Sequence, residues 1–206
     1  RDFGEDSVVI GKGRNARVEP LGRYIYLPEE NGWFPYQINV VDKDGTTVRT
    51  RPYKGSLAPI HVKFKTGSGD MPQYLVAKGT GEDVEFYFDL MKGLDPSKPI
   101  WVPVGRYEIY QGYFTFGSGK KETNLLIGKG RSGTFPVEAG KLNVWELGGA
   151  GEKGFWMIGD VHRSPEKKSE LICVGKEIQV FGNFGEQYFN FYVERLTPTV
   201  TIHRDS

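Results

Sequence analysis

Apolar and polar side chains alternate with a period of two along most of this chain, in short stretches rich in β-branched and aromatic residues. The stretches cover residues 23–27, 36–41, 46–51, 60–64, 84–89, 106–116, 123–127, 142–147, 155–158, 177–181, 187–194 and 199–203, and Gly, Pro, Asn or Asp punctuates nearly every gap. Alternation of this kind sets one face of a strand against a core and leaves the other wet. No ten-residue stretch carries an apolar stripe at helical spacing, and the only helix-like candidate, residues 90–94, is closed off by Gly93 and Pro96. Without crossover helices the strands are expected to pair antiparallel. The predicted fold class is all-β: an antiparallel β-sandwich, built as one large or two small immunoglobulin-like sandwiches.

The alternation also assigns faces. Within 84–89 the set Val84, Phe86 and Phe88 faces a core while Glu85, Tyr87 and Asp89 face out. Within 188–193 the same rule places Phe189, Phe191 and Val193 inside, with Tyr188, Asn190 and Tyr192 outside or half-buried. At 206 residues the chain suits one large β domain or two small ones. A short echo, Ile10-Gly11-Lys12-Gly13-Arg14 and Ile127-Gly128-Lys129-Gly130-Arg131, hints at duplication. The polar segment Gly117-Ser118-Gly119-Lys120-Lys121 would then divide a sandwich at 1–117 from a second at 118–206. The same five residues equally suit a hairpin loop within one continuous domain, 1–206.

Charge narrows the partners. With 27 Lys and Arg against 26 Asp and Glu the net charge is +1, so no long-range field gathers nucleic acid or an anionic membrane. Runs such as 7–10 and 171–174 fall far short of the roughly 20 apolar residues of a membrane-spanning helix. Cys173 is the sole cysteine and sits in the apolar run Leu171-Ile172-Cys173-Val174, the setting of a buried strand thiol. Arg1 in place of Met suggests a mature or trimmed fragment whose leader and any anchor lie outside these residues, so its location, expected to be secreted, periplasmic or cell-envelope, must be inferred indirectly.

The segment Ile38-Asn39-Val40-Val41-Asp42-Lys43-Asp44-Gly45, with Val102-Pro103-Val104-Gly105-Arg106-Tyr107-Glu108-Ile109 and Gly112-Tyr113, resembles the carboxypeptidase-regulatory-like, transthyretin-type β-sandwich domains. Shared features are a strand leading into an Asp-x-x-Gly-type turn and a late Pro-x-Gly-x-Tyr start of a strand. The spacer is longer here, and the middle Gly-x-Phe element is missing. The resemblance implies a non-catalytic, secreted or periplasmic accessory module and transfers no catalytic residue.

Candidate chemistry is sparse. Gly128-Lys129-Gly130-Arg131-Ser132-Gly133 matches G-x-G-x-x-G, but a pyrophosphate cradle needs a following helix, which Pro136 and Glu138-Ala139-Gly140 deny. Asp42-Lys43-Asp44-Gly45 supplies half the oxygen ligands of a calcium loop and is accounted for by an Asp-Gly hairpin turn. His61, His162 and His203 lack metal-ligand spacing, so no metal and no cofactor are assigned. An alternative enzyme, a hydrolase of polysaccharide or peptide, would need carboxylates such as Glu85 or Asp89, or the pair Asp160 and His162, to converge in a cleft.

What stands out is the aromatic content, including Trp33, Trp101, Trp145, Trp156, Tyr110 and Tyr113. Rings left on a wet sheet face stack on sugars or anchor a protein, whereas rings turned inward are only core. The expected contact residues are Tyr87, Tyr188, Tyr192 and Trp33, with Asn190 and Glu85 as hydrogen-bonding neighbours. The function expected from these features is a non-catalytic extracytoplasmic binding or structural module with a protein or glycan partner.

Overall fold

A computed structural model of the chain describes residues 7–10, 17–20, 23–40, 48–66, 69–80, 86–116, 123–151, 154–159, 161–163, 165–166, 171–173 and 178–189. In chain order the strands are β1 (Ser7–Ile10), β2 (Arg17–Pro20), β3 (Tyr24–Glu29), β4 (Gly32–Val40), β5 (Val48–Pro52), β6 (Leu57–Lys65), β7 (Tyr74–Gly79), β8 (Tyr87–Asp89), β9 (Ile100–Pro103), β10 (Gly105–Phe116), β11 (Thr123–Gly128), β12 (Phe135–Val137), β13 (Asn143–Gly148), β14 (Trp156–Ile158), β15 (Val161–Arg163), β16 (Leu171–Cys173), β17 (Gln179–Phe181) and β18 (Gln187–Phe189). Two antiparallel-rich sheets pack face to face as an all-β sandwich. The larger, eight-stranded sheet runs β14-β17-β18-β11-β10-β7-β8, with β12 beside the start of β10. The six-stranded sheet runs β13-β6-β9-β4-β3, with β5 on β4. β1–β2 and β15–β16 form two separate hairpin-like pairs.

Period-two patterning builds the core. In β6 the residues Ala58, Ile60, Val62 and Phe64 are buried while their neighbours are not. Phe86 and Phe88 are buried, whereas Tyr87 and Asp89 are half-buried, as their alternation requires. Phe88 sits fully buried among the rings of Tyr26, Tyr107 and Trp145, and Trp145 stacks on Phe135 with centroids 4.0 Å apart. A single 3-10 turn, Leu90–Gly93, occupies the helix-like stretch; the Asp89 carboxylate caps it by accepting from Met91 N at 3.1 Å and also holds Leu75 N at 3.0 Å. At the crossing from β9 to β10 the Tyr107 hydroxyl donates to the Pro103 carbonyl at 2.6 Å. The Pro-x-Gly-x-Tyr motif is thus a tyrosine corner, pinning the chain where it passes from one sheet to the other.

The structure departs from the sequence expectations in two places, the parallel pairings and β7. β13 runs parallel to β6 over six residue pairs, and β4 meets β9 in parallel at Trp33 and Ile100. No helix is needed, because between β6 and β13 the chain crosses through strands of the facing sheet. β7 escaped the alternation because Leu75, Val76 and Ala77 are buried in succession, on both faces of a strand flanked by β8 and β10. The division at 117/118 falls between β10 and β11, which are hydrogen-bonded neighbours, and both sheets draw strands from each side of it. Residues 84–85, 190–194 and 199–203 lie outside the described residues. No described helix is long and apolar enough to cross a membrane.

Candidate functional site: the outer face of the larger sheet

Register across the eight-stranded sheet turns isolated side chains into rows. Tyr74 of β7 pairs with Tyr113 of β10, Tyr113 with Leu126 of β11, and Leu126 with Phe189 of β18. All four face away from the core, because Leu75, Phe114, Leu125, Ile127 and Tyr188, which follow or precede them, are buried. Leu126 is 45% and Phe189 41% exposed, and the Tyr74 and Tyr113 rings lie nearly parallel, 16° between planes and 6.1 Å between centroids. Neighbouring strands are spaced by about 4.8 Å, so the row spans roughly 14 Å of sheet.

Two residues along the strands lies a second row, Val76, Gln111, Gly128, Gln187, Phe181 and Trp156. Gly128, between Gln111 and Gln187, makes room for the Phe189 ring. A Cβ there would stand 3.0 Å from the Phe189 ring. A bulge in β10 between Ile109 and Gln111 adds Tyr110 without turning Gln111 inward. Tyr110 meets Tyr87 edge-on at 5.4 Å, with the Lys78 ammonium 5.3 Å over its ring. Lys129 Nζ and Lys78 Nζ bond the two oxygens of Glu108 at 2.5 and 3.4 Å. The hydrogen bond from Lys129, with Lys78 beside it, holds the Glu108 carboxyl below the usual range against the opposing effect of burial.

Of the residues expected to make contact, Tyr87 belongs to this face. Trp33 is on the other sheet, half-buried against the core, with the Lys92 ammonium 4.8 Å over its ring. Tyr188 requires correction: it is 5% exposed and points inward, while Phe189, expected inside, points out. The facing is inherited from β11, where Ile127 opposite Tyr188 is buried and Leu126 opposite Phe189 is exposed. Asn190, Tyr192, Glu85 and Asp160 lie outside the described residues, as does the side chain of His162. The Gly128-to-Gly133 loop is a turn, in which Ser132 N donates to Lys129 O at 3.0 Å and Arg131 N to Gly185 O at 2.8 Å, with no helix to cradle a phosphate. Among the described residues no three His, Cys, Asp or Glu side chains converge on a metal position.

The sequence reading passed over Glu186, which is 0% exposed. Its Oε1 accepts from Gly148 N at 2.6 Å and from the Tyr188 hydroxyl at 3.1 Å, and its Oε2 from Phe184 N at 3.1 Å. The carboxyl thereby ties the β17–β18 turn to the end of β13 in the opposite sheet. Gly148 has φ +65°, and a Cβ there would stand 2.4 Å from Lys65 O, so the donor is set by a backbone shape only glycine takes easily. Burial pushes the Glu186 carboxyl up to about 7, against the lowering effect of its hydrogen-bond donors. A Glu after a Gly-Asn-Phe-Gly turn reads in sequence as a solvated loop residue; only the facing strand reveals the buried position.

No family model, no curated protein and no solved structure matches this chain.

Proposed function

We propose that this chain is a non-catalytic binding module of the cell envelope or exterior, which holds a glycan on the outer face of its larger sheet. The observation that carries the reading is the outward-facing row of half-buried Tyr74 and Tyr113 with exposed Leu126 and Phe189, in register on four neighbouring strands. Folded proteins bury most large rings, and a patch of them left on a wet face marks a contact surface. The Tyr74 and Tyr113 ring pair with the exposed Leu126 and Phe189 side chains offers apolar surface to the C–H face of a pyranose, and the Tyr113 hydroxyl and the Gln187 amide can exchange hydrogen bonds with sugar hydroxyls.

Glycan-array binding, followed by affinity electrophoresis in polysaccharide gels, tests the reading. Tyr74→Ala with Tyr113→Ala is expected to weaken binding about tenfold or more, equivalent to about 1.4 kcal/mol, with the melting temperature little changed. Trp33→Ala, on the other sheet, is expected to leave affinity unaltered. Retention of no glycan by the wild-type chain, or equal retention by the double variant, refutes the proposal. The adjoining exposed apolar Leu126 and Phe189 favour a protein partner as the second reading, which gains if glycans fail and Leu126→Asp with Phe189→Asp abolishes a protein complex.

A further inference from the structure

Next to the amide row the outer face changes character. Lys78 and Lys129 share one carboxylate, Glu108, and so leave positive charge in surplus. Arg106, on the same outward-facing set of β10 as Glu108, is exposed, with its Nε bonded to Thr134 Oγ1 at 3.1 Å. The Arg131 guanidinium lies 5.3 Å over the Phe181 ring, which covers the apolar side of the cation and leaves its N–H edges for an anion. Among the described residues of this face four cations therefore stand against Glu108 and Asp89, and Asp89 is already committed to Leu75 N and Met91 N. The whole chain carries a net charge of +1, so this margin is a local concentration rather than a general property. The step from Leu126 to Lys129 is three residues, about 10 Å, and that from Tyr113 to Arg106 along β10 is seven, roughly 23 Å, so an oligosaccharide of several sugars laid on the aromatic row reaches the cations.

Resting on the glycan reading above, we infer that the ligand is an anionic glycan, its sugar rings on Tyr74 and Tyr113 and its acidic groups on Lys129, Arg131 and Arg106. Lysine offers a point charge and arginine a planar fork, and both recognise a carboxylate or a sulfate ester. The two sources are told apart by polymer.

Affinity electrophoresis of the whole chain compares polygalacturonate, dextran sulfate, and the neutral polymers dextran and xylan, at salt concentrations of about 0.05 and 0.5 M. The expected result is retention by an acidic polymer at least tenfold stronger than by either neutral one, falling several-fold at the higher salt. Polygalacturonate alone identifies uronate and dextran sulfate alone identifies sulfate. Lys129→Gln with Arg131→Gln, and separately Lys129→Gln with Arg106→Gln, which leaves Phe181 covered, are expected to remove most of that preference. Tyr113→Ala must weaken the same binding, which separates stacking from simple ion exchange. Neutral polymers held as tightly and without salt dependence overturn this inference and leave the glycan reading standing, as does an unchanged preference in both charge variants. No retention by any polymer fells both.

Discussion

Replacing Glu186 by Gln removes one titrating proton from the interior while keeping the shape of the side chain. In the folded protein the carboxyl is raised to about 7, against 4.5 when exposed, chiefly because it is fully buried. Among the described residues no counter-charge is in direct contact with it. Tyr188 is a neutral donor on the same hairpin; Glu146 of β13 is paired with Lys63; Lys65 contributes its backbone carbonyl to Gly149; and the Arg131 guanidinium stacks on Phe181. The folded state binds the proton more tightly than the unfolded state does, so the stabilisation is complete below about pH 4.5 and is lost as pH rises through about 7. A difference of about 2.5 units at 1.36 kcal/mol each makes that loss about 3 kcal/mol. For a chain of this size it corresponds to roughly 10 °C in melting temperature. Thermal unfolding followed by circular dichroism, from about pH 5 to about pH 8, should show the wild type falling by that amount more than Glu186→Gln. Glu108, which lies below the usual carboxyl range, acts with the opposite sign and below this window. Parallel melting curves for the two proteins would show that the carboxyl does not titrate there. A wild type that gains stability over Glu186→Gln as pH rises would show that the hydrogen-bond donors outweigh burial, and the argument would fail.

Further outcomes follow from individual contacts. Tyr107→Phe deletes a buried hydrogen bond to Pro103 and should cost about 1–2 kcal/mol in denaturant unfolding. Tyr26→Phe removes a buried hydroxyl that has no hydrogen-bond partner among the described residues, so the same measurement should find it neutral or slightly stabilising; a loss equal to that of Tyr107→Phe would contradict this placement. Phe88→Ala opens a void among Tyr26, Tyr107 and Trp145 and should destabilise by about 3–5 kcal/mol. Gly148→Ala drives a Cβ against Lys65 O at positive φ, and a melting temperature unchanged from wild type would refute the close approach.

Much of this molecule follows from local pattern alone. Alternation at 60–64, 106–116 and 142–147 announces strands, because a two-residue period is the only way a sheet sorts apolar from polar side chains. The turn chemistry of Pro103, Gly105 and Tyr107 marks the corner where the chain changes sheets. Alternation cannot say which face meets the core when both carry rings: at Tyr188 and Phe189 the choice belongs to the neighbouring strand, through the register with Ile127 and Leu126. Likewise β7, buried on both sides, has no period to detect. The parallel pairing of β13 with β6, the outward-facing row assembled from four strands and the seat of Glu186 all join residues far apart in the chain. Sequence determines the strands and their two-sided character because those depend on neighbours two residues away. Facing, partnership and the burial of a lone carboxyl depend on groups brought together only by packing one sheet on the other.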